Sequence, residues 1–392
     1  MAGYIRKRGV RQDGSTKWQA RYWDAADRTR RYEKVFRTKG EAQRWLTVQG
    51  ARQIHGDHVD PRGGDRPYRE IVEAWRSTWL NLSPKTRAGY EQILASHLLP
   101  EFGARRASTI TPALVQRYVA RLQGEGAAPG TIRNIYSALR GSLSTAVRLR
   151  LLTVNPCVGV RLPEVPHEEM LSLDAEEVRT LAETIDPRYR TLIYVAAYTG
   201  LRAGELLALR RLDVDLLHSK LHVRRALKDV NGAALAPEHK GMIFGPTKNR
   251  TSRTVSLPRF LRDMLAEHLS SSLPSGSGPD ALVFASPNGL PMRHSLWYRR
   301  TFKPAVRRAL PPHLHPLRFH DLRHSAASLL IAAGVHPKAI SERLGHADIR
   351  ITMNRYGHLL PSVDAALTDA LDLAHAASLT PTREVSALHG KS

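Results

Sequence analysis

The period of the apolar residues changes across a joint rich in proline and glycine at residues 56–67. Before the joint, residues 17–23 alternate between apolar and polar side chains, which predicts a strand with one buried face. After the joint, Ile71, Trp75 and Trp79 recur at helical spacing. We therefore predict an α+β multidomain protein in which a small sheet precedes helical domains.

Residues 1–60 are predicted to form a small three-stranded sheet packed against one helix. Asp13-Gly14 is a favourable hairpin turn, residues 32–36 form a further strand, and Thr38 caps the helix that follows. The segment is basic and aromatic, which favours a compact DNA-binding module, although a solvated basic sheet without a ligand fits the same composition. The candidate DNA contacts in this module are Lys17 and Arg21.

Residues 65–155 are predicted to form a four-helix domain. Ser83-Pro84 and Thr111-Pro112 are start signals for its second and third helices, and a fourth helix begins at about Pro129. The basic residues of this domain fall mostly between the apolar positions, where they can meet either phosphates or solvent. The candidate DNA contacts here are Lys85, Arg87, Arg133 and Arg140.

The rest of the chain is predicted to hold one larger domain. Residues 157–172 lack any apolar period, so we expect a linker there. Residues 170–378 are predicted to be mainly helical with a small antiparallel sheet, and residues 379–392 to be a tail.

The charge of the chain points to a polyanionic partner. Lys and Arg total 59 against 36 Asp and Glu, a formal net charge of +23. Nucleic acid is the first candidate, because Lys and Arg bind phosphates with release of counterions. The alternative, a basic membrane-surface protein, lacks a lipid-facing helix, and no stretch approaches the roughly 20 apolar residues of a membrane span. With Cys157 as its single cysteine and no secretory signal, we expect a soluble intracellular protein.

Two arginines are placed to hold a phosphate. Arg202 follows the helix break Thr199-Gly200 and leads into a new helix, where its guanidinium and the helix dipole act together. His320 and Arg323 share a helix face because they are three residues apart, while the apolar residues of that helix occupy another face. We therefore expect this polar pair to be presented to a ligand.

A histidine, a tyrosine and a lysine complete the set. His346 follows the end of a short helix at Gly345, and Tyr356 comes ten residues later in the next helix. Lys248 precedes a predicted strand at residues 251–255, which predicts a position at the tip of a β-hairpin. Each residue alone is more often structural, but the set suits DNA cleavage through a covalent tyrosine link without a metal ion.

In their order along the chain these six residues resemble the pattern of the tyrosine recombinase, or phage integrase, family. The flanking residues match the same pattern. They are Thr199-Gly200-Leu201-Arg202 with Glu205, His320-Asp321-Leu322-Arg323-His324, Leu344-Gly345-His346, and Thr352 to Tyr356 with His358. Gly357 departs from the pattern, because bulkier residues are also common beside the nucleophile.

The resemblance implies a covalent mechanism. Tyr356 is implied to attack a phosphodiester, to become linked to the DNA 3′ phosphate and to release a 5′ hydroxyl. Lys248 is implied to protonate the leaving 5′ oxygen, and His320 to assist Tyr356 as a base or an orienting group.

The same resemblance assigns the residues that stabilise the phosphate. Arg202 and Arg323 are implied to clamp its two nonbridging oxygens, and His346 to add a hydrogen bond. Glu205 is implied to anchor the region around Arg202. No cofactor and no metal ion is implied.

The resemblance also implies domains and partners. Residues 1–60 resemble an arm-type DNA-binding domain, residues 65–155 a core-binding domain and residues 170–378 the catalytic domain. The implied partner is double-stranded DNA at attachment sites, bound by a homotetramer with a DNA-bending host factor or an excision factor. The implied location is the cytoplasm and nucleoid of a bacterial host, away from any membrane. A predicted helix at residues 363–377 can pack on its own domain or on a neighbouring subunit.

Other functions fit parts of the pattern. A type IB topoisomerase uses a similar site, and the recombinases that resolve chromosome dimers share the last two domains, but both usually lack the N-terminal module. A DNA-binding protein that has lost catalysis would keep the fold without the reaction. A metal nuclease built on Asp213 and Asp215 would need further aligned carboxylates.

Overall fold

A computed structural model describes residues 3–23, 29, 31–54, 63–166, 170–230, 241–247, 251–273, 276–357, 372 and 375. The chain divides into two compact units, Met1–His167 and Glu168–Ser392. No helix of the described residues is long and apolar enough to cross a membrane.

The first unit begins with a three-stranded antiparallel sheet in the order β1-β2-β3, followed by a helix. The elements are β1 (Gly3–Val10), β2 (Thr16–Trp23), β3 (Arg31–Phe36) and α1 (Lys39–Ile54). Ala20 and Tyr22 of β2 are buried against Ala42 and Leu46 of α1, as the alternation predicts. The Thr38 hydroxyl accepts from a free amide in the first turn of the helix, that of Glu41, at 3.1 Å.

The remainder of the first unit is helical and has its own hydrophobic core. Its elements are α2 (Tyr68–Arg76), α3 (Pro84–Ile93), a π-helical segment (Leu94–Leu98), α4 (Leu99–Phe102), α5 (Pro112–Gly124) and α6 (Pro129–Arg148). Ser83 and Thr111 accept backbone amides as N-caps of α3 and α5, each at 3.2 Å. The predicted second helix is thus α3, the π-helical segment and α4 in succession, and all four predicted helices are present.

The described residues of the predicted linker form no helix or strand, but residues 155–161 are fixed to the helical core. The Tyr136 hydroxyl donates to the Cys157 carbonyl at 2.5 Å, and the Gln116 side chain bonds both backbone groups of Arg161 at 2.9 and 3.1 Å. Asn155 donates to the Arg140 carbonyl at 3.0 Å. Cys157 is also buried in this core, and Val160 packs against it. Neither the polar nor the apolar contacts recur at a regular spacing, so no period in the sequence reveals them.

The second unit is mainly helical with two small antiparallel sheets, so the predicted fold class is confirmed. Its elements are α7 (Ala175–Thr184), α8 (Arg190–Thr199), α9 (Ala203–Leu206), β4 (Val214–Asp215), β5 (Lys220–Val223), β6 (Ala226–Asp229), β7 (Met242–Gly245), β8 (Arg253–Ser256), α10 (Arg259–Ser272), α11 (His294–Trp297), a π-helical segment (Tyr298–Phe302), α12 (Lys303–Ala309), α13 (Asp321–Ala332), α14 (Pro337–Leu344) and α15 (Ile349–Tyr356). Helix α8 is apolar on nearly all sides and buried, which places it at the centre of the unit.

The strands of the second unit pair differently from the predicted hairpin. β8 joins β4 and β5 in the order β4-β5-β8, whereas β7 pairs with β6. The segment between β7 and β8 therefore connects two sheets. Strands of four residues have no sequence pattern that identifies the strand with which they pair. The local sequence therefore suggested the simplest pairing, a hairpin of neighbouring strands.

Candidate active site

The junction between α8 and α9 brings the first arginine to the end of α14. Gly200 ends α8 in the left-handed conformation with φ of 67°, and a Cβ at this position would lie 2.3 Å from Leu344 Cδ2. Arg202 follows as the N-cap residue of α9, and its Nη2 donates to the Gly345 carbonyl at 3.3 Å. A glycine is therefore required here for both its backbone angle and its size.

Glu205 is a buried carboxylate shared by two arginines. Its Oε1 accepts from Arg202 Nη1 at 3.0 Å and from Arg253 Nη1 at 3.1 Å, and its Oε2 accepts from Arg253 Nη2 at 2.7 Å. The Arg202 amide also donates to Oε2 at 3.0 Å. Burial alone would raise the pKa of Glu205, but the hydrogen bonds from Arg253 and the nearby charges hold it below its ordinary value. Glu205 is thus ionised and fixes both guanidinium groups.

Arg323 is more buried than the sequence predicts. Only 4% of the residue is exposed, and its Nη1 and Nη2 donate to the carbonyls of Gly200 and Leu344 at 2.5 and 2.6 Å. The pKa of Arg323 is lowered to about 9, mainly because the group is buried and also because of the charge of Arg202. The expectation of a presented pair is therefore wrong for Arg323, because helix periodicity cannot show that α8 and α14 cover its face.

The end of α14 gathers three guanidinium groups through three successive carbonyls. The carbonyl of Arg343 accepts from Arg253 Nε at 3.2 Å, while those of Leu344 and Gly345 accept from Arg323 and Arg202. The last carbonyls of a helix lack donors within the helix and carry the negative end of its dipole, so they attract cations. The result is a local concentration of positive charge with Glu205 as its buried counter-ion, which is suited to a phosphate.

His346 lies beside this cluster as a neutral imidazole. Its Nδ1 is 2.7 Å from the hydroxyl of the buried Thr352. The pKa of His346 is lowered to about 4, mainly because the ring is buried and also because of the charges of Arg323 and Arg202. If the Thr352 hydroxyl donates to Nδ1, the ring hydrogen is on Nε2, where it can be donated to a phosphate oxygen.

Tyr356 is buried at the end of α15. The residue is 2% exposed and packs in an apolar cluster with Ile331, Ile340 and Leu344. Its hydroxyl lies 2.6 Å from Nδ1 of His324, which is itself 4% exposed. Burial raises the pKa of Tyr356, although the neighbouring Arg323 acts in the opposite direction. Leu344 links this cluster to the arginines, because its carbonyl accepts from Arg323.

His320 does not contact the tyrosine in the described part of the chain. It is the N-cap residue of α13, it is exposed, and its ring centroid lies 5.5 Å from that of His324. Partial desolvation of the ring lowers the pKa of His320, and the charge of Arg323 lowers it further. The role predicted for His320 stays a prediction, and the hydrogen bond to Tyr356 is made by His324.

Lys248 lies outside the described residues, so its predicted role also stays a prediction. Thr247 and Thr251 flank it, and the Thr247 hydroxyl donates to the Thr251 carbonyl at 2.7 Å.

The candidate DNA contacts differ in how freely their cations can reach a ligand. In the sheet, Lys17 is half-buried, and Arg21 pairs with Glu33 at 2.9 Å and donates to the Tyr4 hydroxyl at 2.7 Å. In the helical core, Arg87 and Arg133 donate to the carbonyls of Trp79 and Pro163 at 2.6 and 3.2 Å. All four candidates of the helical domain, Lys85, Arg87, Arg133 and Arg140, are exposed.

Sequence reasoning missed Arg253 and gave His324 no role. Arg253 is a basic residue in a short strand, where nothing in the local pattern reveals a buried carboxylate partner. His324 was visible as the residue after Arg323, and its spacing from His320 already placed both on one face of α13.

The two carboxylates considered for a metal site already interact with cationic side chains or backbone amides. Asp213 is buried beside Arg224 and Arg225 at 3.5 and 3.6 Å, and Asp215 binds His218 at 2.8 Å. Among the described residues, no group of three or more His, Cys, Asp or Glu side chains is placed to hold a metal ion.

Most of the chain is similar to integrases of phages and prophages. Residues 172–362 match the phage integrase family, and residues 69–123 match the phage integrase N-terminal SAM-like domain. The putative prophage phiRv2 integrase of Mycobacterium tuberculosis is 31% identical over 372 residues, covering 92% of this chain and 94% of the relative. The integrase of Mycobacterium phage L5 is 28% identical over 364 residues, with 90% and 94% covered. The fold and these relatives define a tyrosine-type site-specific recombinase. The chain belongs to the phage integrase family.

Solved structures agree with this fold. The Tn1549 transposon integrase in complex with transposon right end DNA has a TM-score of 0.66 at 20% identity, covering 79% of this chain and all of that one. A lambda integrase tetramer bound to a Holliday junction has a TM-score of 0.53 at 17% identity, with 87% and 91% covered. At this level of identity the likeness concerns the fold alone.

Proposed function

We propose that this recombinase cleaves and rejoins DNA with Tyr356 as its nucleophile. The Tyr356 oxygen would bond to phosphorus while the bond from phosphorus to the 5′ oxygen breaks, leaving a 3′-phosphotyrosine and a free 5′ hydroxyl. The energy of the broken bond is kept in the phosphotyrosine, so a 5′ hydroxyl of another strand can attack it. Integration and excision of a phage or mobile element then require no nucleotide cofactor.

The observation that carries this proposal is the convergence of three guanidinium groups at the end of α14, next to the cluster that contains Tyr356. Arg202 and Arg323 are held by main-chain carbonyls and keep further N–H groups for a phosphate. Charge that grows on the phosphate oxygens in the transition state would meet cations already fixed in place. His346 would donate one further hydrogen bond, and Lys248 would protonate the leaving oxygen.

We assign DNA binding to three parts of the chain. Residues 1–60 would bind arm-type sites, residues 65–155 the core site, and residues 170–378 the scissile phosphate. Lys85 and Arg140 are the most readily available of the cations proposed for the core site, because Arg87 and Arg133, although also exposed, already donate to main-chain carbonyls. Phosphate contacts of this kind would give affinity and orientation rather than base specificity.

The active assembly is proposed to be a homotetramer on two DNA duplexes inside the bacterial cell, with a DNA-bending host factor or an excision factor as a further partner. The lambda integrase tetramer bound to a Holliday junction supports the tetramer, since the two chains share a fold.

Covalent trapping tests the nucleophile. Nicked DNA from the flanks of the element that encodes the chain would be incubated with wild-type protein and with Tyr356→Phe, and the products separated on denaturing gels. A shifted protein–DNA adduct is expected with the wild type alone. An adduct of equal yield with Tyr356→Phe would refute the assignment.

A modified substrate tests Lys248. Lys248→Ala should cleave ordinary DNA slowly and recover on a substrate whose 5′ position carries a better leaving group, since such a group needs no proton. Slow cleavage of both substrates would remove the general-acid role.

A further inference from the structure

We propose that His324 is a catalytic residue that holds the Tyr356 hydroxyl and takes its proton as the oxygen attacks phosphorus. The inference rests on the proposed function, in which Tyr356 is the nucleophile. It assigns the base to a buried residue of α13 and not to the exposed His320.

The contact between the two side chains is short and shielded from water. Nδ1 of His324 lies 2.6 Å from the Tyr356 oxygen, and both residues are buried. No other hydrogen bond to this hydroxyl exists among the described residues. A general base must lie within hydrogen-bond reach of the proton that it removes, and His324 meets that requirement before DNA binds.

The surroundings of His324 favour the tautomer that a base needs. Nδ1 can accept a proton only when the ring hydrogen is on Nε2. Nε2 lies 4.0 Å from Oδ1 of the buried Asp321, which attracts that hydrogen and would stabilise the imidazolium. Asp321 is fixed in turn by the backbone amide, Nε and Nη2 of Arg318, at 2.7, 3.2 and 3.1 Å. At 4.0 Å the Asp321 carboxylate makes no hydrogen bond to the ring, so it acts on His324 through its charge.

The ring is neutral at neutral pH, so the Nδ1 lone pair is free to accept a hydrogen bond from the phenol. Burial, followed by the charge of His320, lowers the pKa of His324 to about 4. The charged and titratable groups that face it, besides Tyr356 itself, are His320, Asp321, Arg355 and Arg318.

The reaction balances without an external reagent. The bond from the Tyr356 oxygen to phosphorus forms, the bond from phosphorus to the 5′ oxygen breaks, and the phenolic proton moves to His324 Nδ1. The leaving oxygen takes a proton from Lys248, as proposed above. In the rejoining step the attacking 5′ hydroxyl gives its proton to Lys248 and its oxygen bonds to phosphorus. The bond from phosphorus to the Tyr356 oxygen breaks, and His324 returns the proton to that oxygen.

The test separates proton transfer from simple positioning. His324→Asn puts an amide near the position of Nδ1 and keeps a hydrogen-bonding group, but the amide is not basic. His324→Gln is a second variant in case the first fails to fold. His268→Gln is the matched control, because His268 is another buried histidine of the same unit, bound through Nε2 to the Val283 carbonyl at 2.9 Å.

Single-turnover cleavage of nicked DNA by the full-length protein would be followed between about pH 6 and pH 8, with saturating binding confirmed for each variant. We expect His324→Asn to cleave about 100-fold to 1,000-fold more slowly than the wild type, with unchanged DNA affinity. Its rate should rise about tenfold per pH unit, because the phenol must then lose its proton to solvent, whereas the wild-type rate should stay nearly flat. His268→Gln should follow the wild type in both rate and pH profile.

Two results would overturn the proposal. Wild-type cleavage rates in both His324 variants would show that no proton passes to this ring. A slow variant whose pH profile runs parallel to the wild type would make His324 a positioning or structural residue. Failure of the proposed function looks different, because then the wild type itself would form no adduct.

Discussion

Replacing Arg253 with methionine should destabilise the protein although Arg253 is absent from every motif of the sequence. The change removes two charge-assisted hydrogen bonds to Glu205, from Nη1 at 3.1 Å and from Nη2 at 2.7 Å, and a third to the Arg343 carbonyl. Hydrogen bonds to charged groups contribute about 1.5–3 kcal/mol each, but bonds that share one guanidinium are not additive. Since Glu205 is 1% exposed and the Arg253 side chain 13%, solvent cannot replace the lost partner. We expect the free energy of unfolding to fall by about 3–5 kcal/mol, as for a broken buried ion pair.

Urea unfolding of the full-length protein measures this loss, and Arg179→Met is the control. Arg179 pairs with Glu176 and with Glu183 at 2.8 Å, but its side chain is 49% exposed, so its removal should cost less than about 1 kcal/mol. Equal losses in the two variants would refute the reasoning that burial makes the Arg253 contact strong.

The pH dependence of unfolding gives an independent check. The pKa of Glu205 is lowered in the folded protein, because the hydrogen bonds and charges of the two arginines outweigh the effect of burial. Its contribution to stability is therefore fully present above the ordinary glutamate pKa of about 4.3 and is lost as the pH falls through the folded value. Glu205→Gln should reduce the loss of stability seen below about pH 4.3. If the free energy of unfolding fell just as steeply with acid in the variant, the assignment would be contradicted.

Four further results are expected. Gly200→Ala should destabilise the protein by about 2–4 kcal/mol, because its Cβ would lie 2.3 Å from Leu344 Cδ2 at a φ of 67°. Gly334→Ala, with a φ of 71° and no atom within 4 Å of its Cβ, should cost only about 1–2 kcal/mol in the same urea unfolding assay. Deletion of residues 1–60 should spare cleavage of a core site but abolish integration between long attachment sites, and unchanged integration would remove the arm-binding assignment. Strand cleavage on denaturing gels should survive EDTA, since arginines supply the positive charge at the phosphate, and a strict need for magnesium would count against the mechanism.

The fold was predictable where local chemistry decides the structure. Ser83, Thr111 and Thr38 each begin a helix with a side-chain cap, and the helices start where these residues predict. Such signals depend on neighbours three residues apart, so the sequence alone contains them.

Contacts between distant segments were not predictable in the same way. Arg253 and Glu205 meet because β8 and α9 converge on the end of α14, and no period in either segment records that meeting. The burial of Arg323 has the same origin, since its cover comes from α8 and α14. His324 was visible in the sequence, but only the folded chain places its Nδ1 on Tyr356.

The most direct test of the central claim is to locate the DNA on the protein. Wild-type protein would be trapped on nicked DNA, digested with protease and nuclease, and the modified peptide sequenced by mass spectrometry. The account predicts a nucleotide joined through its 3′ phosphate to Tyr356. A linkage through a 5′ phosphate, or to any other residue, would contradict it.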